Sequence, residues 1–196
     1  MDWFTSDHHF GHRNILKFAN RPWFDVHEMD VDLINNWNSV VKENDTVYYL
    51  GDFALTGRDN IQNILDQLNG NIKFIPGNHD KRITLDLIAK SGAEIKPLVF
   101  EYTNYVKGNK LPIVLCHYPM RSWNRSFHGS YHFFGHTHGN AEPHYTSIDI
   151  GVDSVSRHLP GGSSVKENYR PVTAQEAINF INEWRNKNVG KCEIEI

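Results

Sequence analysis

Five apolar runs in this chain each stop on a carboxylate, an imidazole or an amide, and that regularity constrains the fold more than any composition figure. Trp3 to Thr5 leads into Asp7-His8-His9, Thr46 to Leu50 into Gly51-Asp52, and Ile72 to Ile75 into Pro76-Gly77-Asn78-His79-Asp80. Residues 112 to 116 end at His117, and residues 131 to 134 end at Gly135-His136-Thr137-His138-Gly139. Short apolar runs closed by turn residues read as buried strands. In open α/β sheets the ligand crevice lies outside the carboxyl ends of the strands, so these segments are expected to deliver their polar side chains to one rim.

The stretches between the runs carry helical spacing. From Glu28 to Val41 the apolar positions Met29, Leu33, Ile34, Trp37, Val40 and Val41 keep one face, which predicts an amphipathic helix. A second helix is expected from Asn60 to Leu68, with Gly70 ending it, and a third over residues 84 to 90, closed by Gly92. Further strands are expected at residues 95 to 106 and 146 to 150, and a last helix at 173 to 187 with Thr173 as its N-cap. Residues 154 to 170, with Pro160-Gly161-Gly162-Ser163-Ser164, read as a mobile loop too short to separate domains. The order is mixed α/β, and 196 residues with 39% apolar content suit one domain over residues 1 to 196.

A net charge of -3 argues against a broad basic surface for duplex nucleic acid. Cys116 and Cys192 have no CxxC spacing and form no disulfide framework, which fits a reducing compartment. No stretch approaches the ~18 apolar residues of a membrane span, and no charged segment with an apolar core follows Met1. A soluble, cytoplasmic protein without membrane partners is therefore expected. Twelve histidines point to a metal site, because imidazole is the commonest transition-metal ligand. Two histidines in one loop do not by themselves establish ligation. The collected set of carboxylate, imidazole and amide suits manganese, iron, zinc or nickel, and no cysteine cluster suggests a structural zinc knuckle.

The segments Asp7-His8-His9, Gly51-Asp52-Phe53, Gly77-Asn78-His79-Asp80, His117 and Gly135-His136-Thr137-His138 stand in the order DxH, GDx, GNHD, H, GHxH. That order resembles the calcineurin-like metallophosphoesterases and covers residues 7 to 138, about two thirds of the chain. The resemblance implies a four-layer sandwich of two mixed β-sheets flanked by helices. It also implies two divalent metal ions, manganese first, with iron, zinc, nickel or cobalt as alternatives. One ion would take Asp7, His9, Asp52 and His138; the other Asp52, Asn78, His117 and His136, with Asp52 bridging. A bridging carboxylate offsets part of the repulsion between two cations, and two-metal hydrolases activate water between their ions.

His79 is then the expected acid for the leaving oxygen, with Asp80 orienting its ring. Gly11, Gly51, Gly77 and Gly135 read as sharp turns near the metals. His12 either lines the phosphate pocket or lies on the surface. Between His117 and His136, Arg121, Arg125, Trp123 and Phe127 offer guanidinium forks and aromatic faces for a nucleotide, or form a packed loop with solvated arginines. The relatives that act on phosphoproteins carry GDxVDRG, whereas Gly51-Asp52-Phe53-Ala54-Leu55-Thr56-Gly57 stands here, without that arginine. The expected activity is hydrolysis of a nucleotide or other small phosphoester, by a phosphodiesterase or phosphatase. Two alternatives stay open: a catalytically silent metal-binding scaffold that docks a protein, and a nuclease on DNA or RNA, which the acidic balance disfavours.

Overall fold

A computed structural model of the chain describes residues 1–106 and 109–188. The first sheet is built from β1 (Asp2–Thr5), β2 (Thr46–Tyr49), β3 (Asn71–Phe74), β4 (Glu94–Ile95) and β9 (Val172–Thr173), in the order β4-β3-β2-β1-β9. The four strands from β1 to β4 are parallel, and β9 runs antiparallel along β1. The second sheet holds β5 (Val99–Val106), β6 (Asn109–Cys116), β7 (Tyr131–Phe134) and β8 (Ser147–Asp149) in chain order. There β5 and β6 are antiparallel, while β6, β7 and β8 are parallel. The chain is thus α/β with two mixed sheets.

Alternation along the strands decides what each face meets. Trp3, Val47, Tyr49 and Phe74 face α1 (Ile15–Phe18), α2 (Val26–Val40), α3 (Arg58–Leu65) and α4 (Arg82–Lys90) in one apolar core. Phe4, Tyr48, Leu50 and Ile75 face Ile113, Leu115, Phe133 and Ile148 of the second sheet in another. α6 (Ala174–Lys187) adds Ala177, Ile178 and Ile181 to that second core. Phe4 meets Phe133 edge-on at 5.4 Å across the two sheets. Among the described residues no helix is long and apolar enough to cross a membrane.

The helices start where side chains can close them. Asp25 caps α2 by accepting from the His27 amide, and Thr173 with Glu176 forms a capping box on α6. The strand expected at 95 to 106 is interrupted after Ile95, where Lys96-Pro97-Leu98 separates β4 from β5. Pro97 lacks the N–H a ladder needs. The single turn of α1 after His12, the two-residue β9 and the 3-10 turn at Ser126–His128 are not among the elements expected from the sequence. Residues 154 to 170 are not a mobile loop. They hold most of α5 (Val152–His158) and two 3-10 turns, with Val155 and Tyr169 buried. Packing of those two residues overrides the Gly-Pro composition. Cys116 is buried at the end of β6, and Cys192 lies outside the described residues.

One helix contact ties the core to the rim. Asp30 of α2 accepts the Gly11 amide on both carboxylate oxygens at 3.0 Å. Burial, partly offset by that hydrogen bond, pushes the Asp30 carboxyl up to about 6. The native state therefore holds this proton more tightly than the unfolded chain, and ionisation costs stability. The cost is absent below the unfolded value near ~4, grows as pH rises to about 6, and is constant above. Asp30→Asn removes it. The melting temperature of the variant relative to wild type is expected to climb between those two pH values and then level off. A difference that is flat across that window would show that Asp30 is not buried as described.

Candidate metal centre

The loops after β1, β2, β3, β6 and β7 meet at one rim. Asp7, His9 and His138 each bring one ligand-type atom to within 4.8 Å of the others, and Asp52, His117 and His136 do the same. Asp52 stands between the two groups. Its Oδ2 lies 3.5 Å from Nε2 of His9 on one side and 3.5 Å from Nε2 of His117 on the other. Asn78 joins the second group, with Oδ1 2.9 Å from Nε2 of His117. His79 is half-exposed above them, its Nε2 4.0 Å from Asp52 Oδ2 and its ring 5.4 Å from that of His9. His12 packs 5.4 Å from His9, so it belongs to the rim. Burial, then the charge of His79, lowers its pKa.

The backbone carrying these groups is strained. Asp7, His9, Asp52, His136 and His138 all adopt left-handed φ, between 50° and 69°. Each such residue costs roughly 1–2 kcal/mol, and residues of this kind cluster at functional sites. Buried carboxylates hold the turns in place. Asp80 accepts from the amides of Asp52, Phe53 and Gly77 at 2.8, 3.0 and 2.8 Å. Asp149 accepts from the amides of Gly139 and Gly151 and from the Thr137 hydroxyl. Asp7 Oδ2 accepts from the Ser6 hydroxyl and the His136 amide. The expected partnership of Asp80 with the His79 ring is therefore corrected: both oxygens of Asp80 clamp main-chain amides, and Asp80 positions the loop.

The glycines divide likewise. Gly51 is left-handed at 87°, as a sharp turn requires, and Gly11 is left-handed too. Gly77 and Gly135 are not. They are glycines because a Cβ at Gly77 would collide with Asp52 Oδ1 and the His117 ring, and one at Gly135 with Asp7 Oδ2 and Ser6 Oγ.

Two imidazoles are aimed by partners on their far nitrogen. His117 Nδ1 is 2.7 Å from the Leu50 carbonyl, and His138 Nδ1 is 2.8 Å from Asp153 Oδ2. Asp153 is in turn gripped by the buried Arg21, whose Nε and Nη2 donate to its two oxygens at 2.8 and 2.9 Å. The same guanidinium donates to the main-chain carbonyls of His8 and Asp7 at 2.7 and 2.6 Å. Neither residue was singled out from the sequence. Asp153 closes a sixth strand-like run at Gly151-Val152-Asp153, a signal of the same kind as the other five. Arg21 carries none, because its partner lies 132 positions away.

Burial is the first influence on the titrating groups of the site. Burial, and next the neighbouring Asp149, raises the Asp7 carboxyl. Burial, then Arg21, drives the His9 imidazole far down. For His117, burial alone would lower the pKa, but the hydrogen bond to Asp52 and the charges of Asp7 and Asp52 outweigh it and hold the ring at about 9. Asp7 Oδ1 and both ring nitrogens of His9 are buried without a hydrogen-bond partner among the described residues. Orphaned buried polar atoms are rare in folded proteins. A cation held by Asp7, His9 and His138 would satisfy Asp7 Oδ1 and one His9 nitrogen, so the residues present fit a metal ion.

The residues expected to bind substrate separate. Arg121, Trp123 and Phe127 line a cleft together with Tyr145 and Arg185, and none of the metal-type ligands lines it. Arg125 is exposed and left-handed, at the start of a 3-10 turn over Ser126–His128, and does not line the cleft. The reason is topological. β6 and β7 are parallel, so residues 118–130 must travel back from the end of one strand to the start of the next. That carries the aromatic segment away from the rim.

No family model matches the chain. The uncharacterized protein MJ1445 of Methanocaldococcus jannaschii is 35% identical over 185 residues, which cover 90% of this chain and 88% of that one. The chain belongs to the family of MJ1445. The gene 66 protein of Mycobacterium phage L5 is 28% identical over 182 residues, covering 79% of this chain and 87% of the phage protein. The protein of unknown function AQ665 from Aquifex aeolicus shares the fold, at a TM-score of 0.64 with 22% identity, over 92% of this chain and 99% of its own.

In this MJ1445-family chain, Asp153→Asn should weaken divalent-metal binding by about 10–100-fold, the usual penalty for losing an orienting partner of a ligand histidine. It should also lower the melting temperature, because Arg21 is left as an uncompensated buried charge. Calorimetric titration with manganese and thermal melts check both. Unchanged metal affinity with lowered stability would restrict Asp153 to folding.

Proposed function

We propose that this protein is a metal-dependent phosphoester hydrolase of the calcineurin-like type, with the whole chain forming one four-layer sandwich domain. The observation that carries the reading is the position of Asp52 Oδ2, equidistant at 3.5 Å from an imidazole of each ligand group. A carboxylate so placed suits a bridge between two cations. Asp7, His9, Asp52 and His138 would hold one ion, and Asp52, Asn78, His117 and His136 the other. Manganese is the first choice for trial, since such mixed nitrogen and oxygen sets accept several first-row ions. When bound, a pair of this kind supplies Lewis acidity toward phosphoryl oxygen and lowers the pKa of coordinated water.

The chain's own residues supply the rest. His79 faces solvent over the bridge, where it can give a proton to the departing oxygen. Its backbone amide donates to Asp52 Oδ1 at 2.8 Å, so the residue that carries the acid also fixes the bridging carboxylate. His12, beside His9, is placed to meet a phosphoryl oxygen. Asp80 keeps the two loops in register. A small phosphoester is the substrate proposed for this rim, and the missing arginine after Asp52 tells against phosphoproteins.

Asp52→Asn is expected to lose metal from both positions, and with it hydrolysis of bis-p-nitrophenyl phosphate in the presence of manganese. Retention of metal and activity would remove the bridge. Metal-loaded wild type that hydrolyses neither nitrophenyl esters nor nucleotides would favour a docking scaffold.

His79→Asn should leave metal content near wild type and lower kcat by roughly 10²–10⁴-fold on nucleotide esters. Nitrophenolate departs without needing a proton, so the defect on nitrophenyl substrates should be much smaller. Equal defects on both would make His79 a positioning residue.

A further inference from the structure

The cleft at the start of β7 and β8 has a volume of about 680 Å³ and is lined by Arg121, Trp123, Phe127, Tyr145 and Arg185 among others. That size falls in the usual range for small-ligand pockets. It lies apart from the metal rim. The Trp123 ring packs on His132 within β7, whereas His136 lies beyond the strand's far end at Phe134, and none of the metal-type ligands lines the cleft.

The aromatic groups in it are displayed on a braced loop. The Trp123 indole donates to the Ser130 carbonyl at 3.2 Å, the Ser130 hydroxyl to the Asn124 carbonyl at 2.6 Å, and the Thr146 hydroxyl to Ser130 at 2.6 Å. Left-handed Arg125 and Gly129 bracket the 3-10 turn between them. This bracing leaves Phe127 at its tip 90% exposed. An exposed phenylalanine forgoes the ~1.5–3 kcal/mol that burial would contribute, and this one shares a cleft wall with Trp123 and Tyr145, so three aromatic rings face the same groove. Charge selects the ligand. In a chain of net charge -3 the lining carries two guanidiniums and no carboxylate.

Planar rings beside arginine forks, with no opposing acid, are complementary to a flat base joined to phosphate. We infer that this cleft is a binding site for a nucleotide unit, separate from the metal centre and independent of the hydrolase reading. The unit can come as a free mononucleotide or as part of a single strand.

The test is calorimetric titration of the full chain in EDTA with AMP, with a short oligo(dT) and with inorganic phosphate. Saturable binding of AMP or of the oligonucleotide is expected, the tighter of the two naming the source. Phe127→Ala should weaken it by about ten-fold or more, the usual loss when a base loses its stacking partner. Arg185→Ser should weaken it and flatten its salt dependence. Both side chains are exposed, so melting temperatures should not move. The assignment is overturned if neither nucleotide binds, if phosphate alone binds as tightly as AMP, or if both variants bind as wild type. It is likewise overturned if the cleft takes up the apolar probe anilinonaphthalene sulfonate and refuses nucleotides, which would make it a seat for an apolar partner.

Discussion

The Arg21 guanidinium is the interaction on which the rest of the rim depends. It is fully enclosed and makes four charge-assisted bonds, two to Asp153 at the start of α5 and two to main-chain carbonyls of the loop after β1. β1 belongs to one sheet, and α5 follows a strand of the other. One side chain thus fixes the spacing between two sheets at the point where their candidate ligands meet. A buried ion pair is weak evidence for stability, because desolvation consumes most of its Coulombic gain. Here the pair has a positional role: it sets the His138 ring against Asp7 and His9, and the planar fork gives a register that a flexible ammonium would not.

Rigidity of that kind is needed because the ligand-bearing backbone does not favour its own conformation. Five candidate ligand residues held left-handed represent several kcal/mol of local strain. The strain is sustained by Asp7, Asp80 and Asp149, which turn carboxylate oxygens onto amides rather than toward solvent. Asp80 and Asp149 therefore act as anchors for the loops. Asp7 and Asp52 combine that work with facing the candidate metal positions. Asp52 accepts the His79 amide on one oxygen and keeps the other between two imidazoles. This division explains how the rim can bury so many carboxylates.

Much of the arrangement was legible in the sequence, because local signals and tertiary placement agree where strands end. Asp7, His9, Asp52, Asn78, His117, His136 and His138 each follow an apolar run, and parallel pairing sends those ends the same way. What escaped depends on contacts that are distant in sequence. Arg21 has no local pattern, and Asp80 looks like a partner of His79 only until its side chain is seen turned back to the strand-β2 loop. Gly77 and Gly135 resemble Gly51 as letters, yet they serve close approach and not turning. Residues 154 to 170 have a loop's composition, but Val155 and Tyr169 find apolar neighbours that the local pattern does not reveal.

The parallel pairing of β6 and β7 accounts for the other half of the molecule's surface chemistry. Such a connection normally uses a helix to cover the sheet face it crosses. Residues 118–130 cross without an α-helix, held instead by backbone and side-chain bonds at a few points. His132 is one of these: its Nδ1 lies 2.9 Å from the Val114 carbonyl, and its Nε2 accepts the Met120 amide at 3.2 Å. That pairing requires the neutral ring with its proton on Nδ1, and burial lowers the pKa accordingly. A helix would have turned one side of the segment inward and buried its aromatic residues. The irregular path, with its single 3-10 turn, leaves Phe127 exposed. It begins at Tyr118, whose ring lies 4.9 Å from that of His136, and it ends at Phe127 and Trp123 over the start of β7. The same strand order that gathers the candidate metal ligands at one end of the sheet therefore obliges an aromatic and basic segment to lie open toward the other.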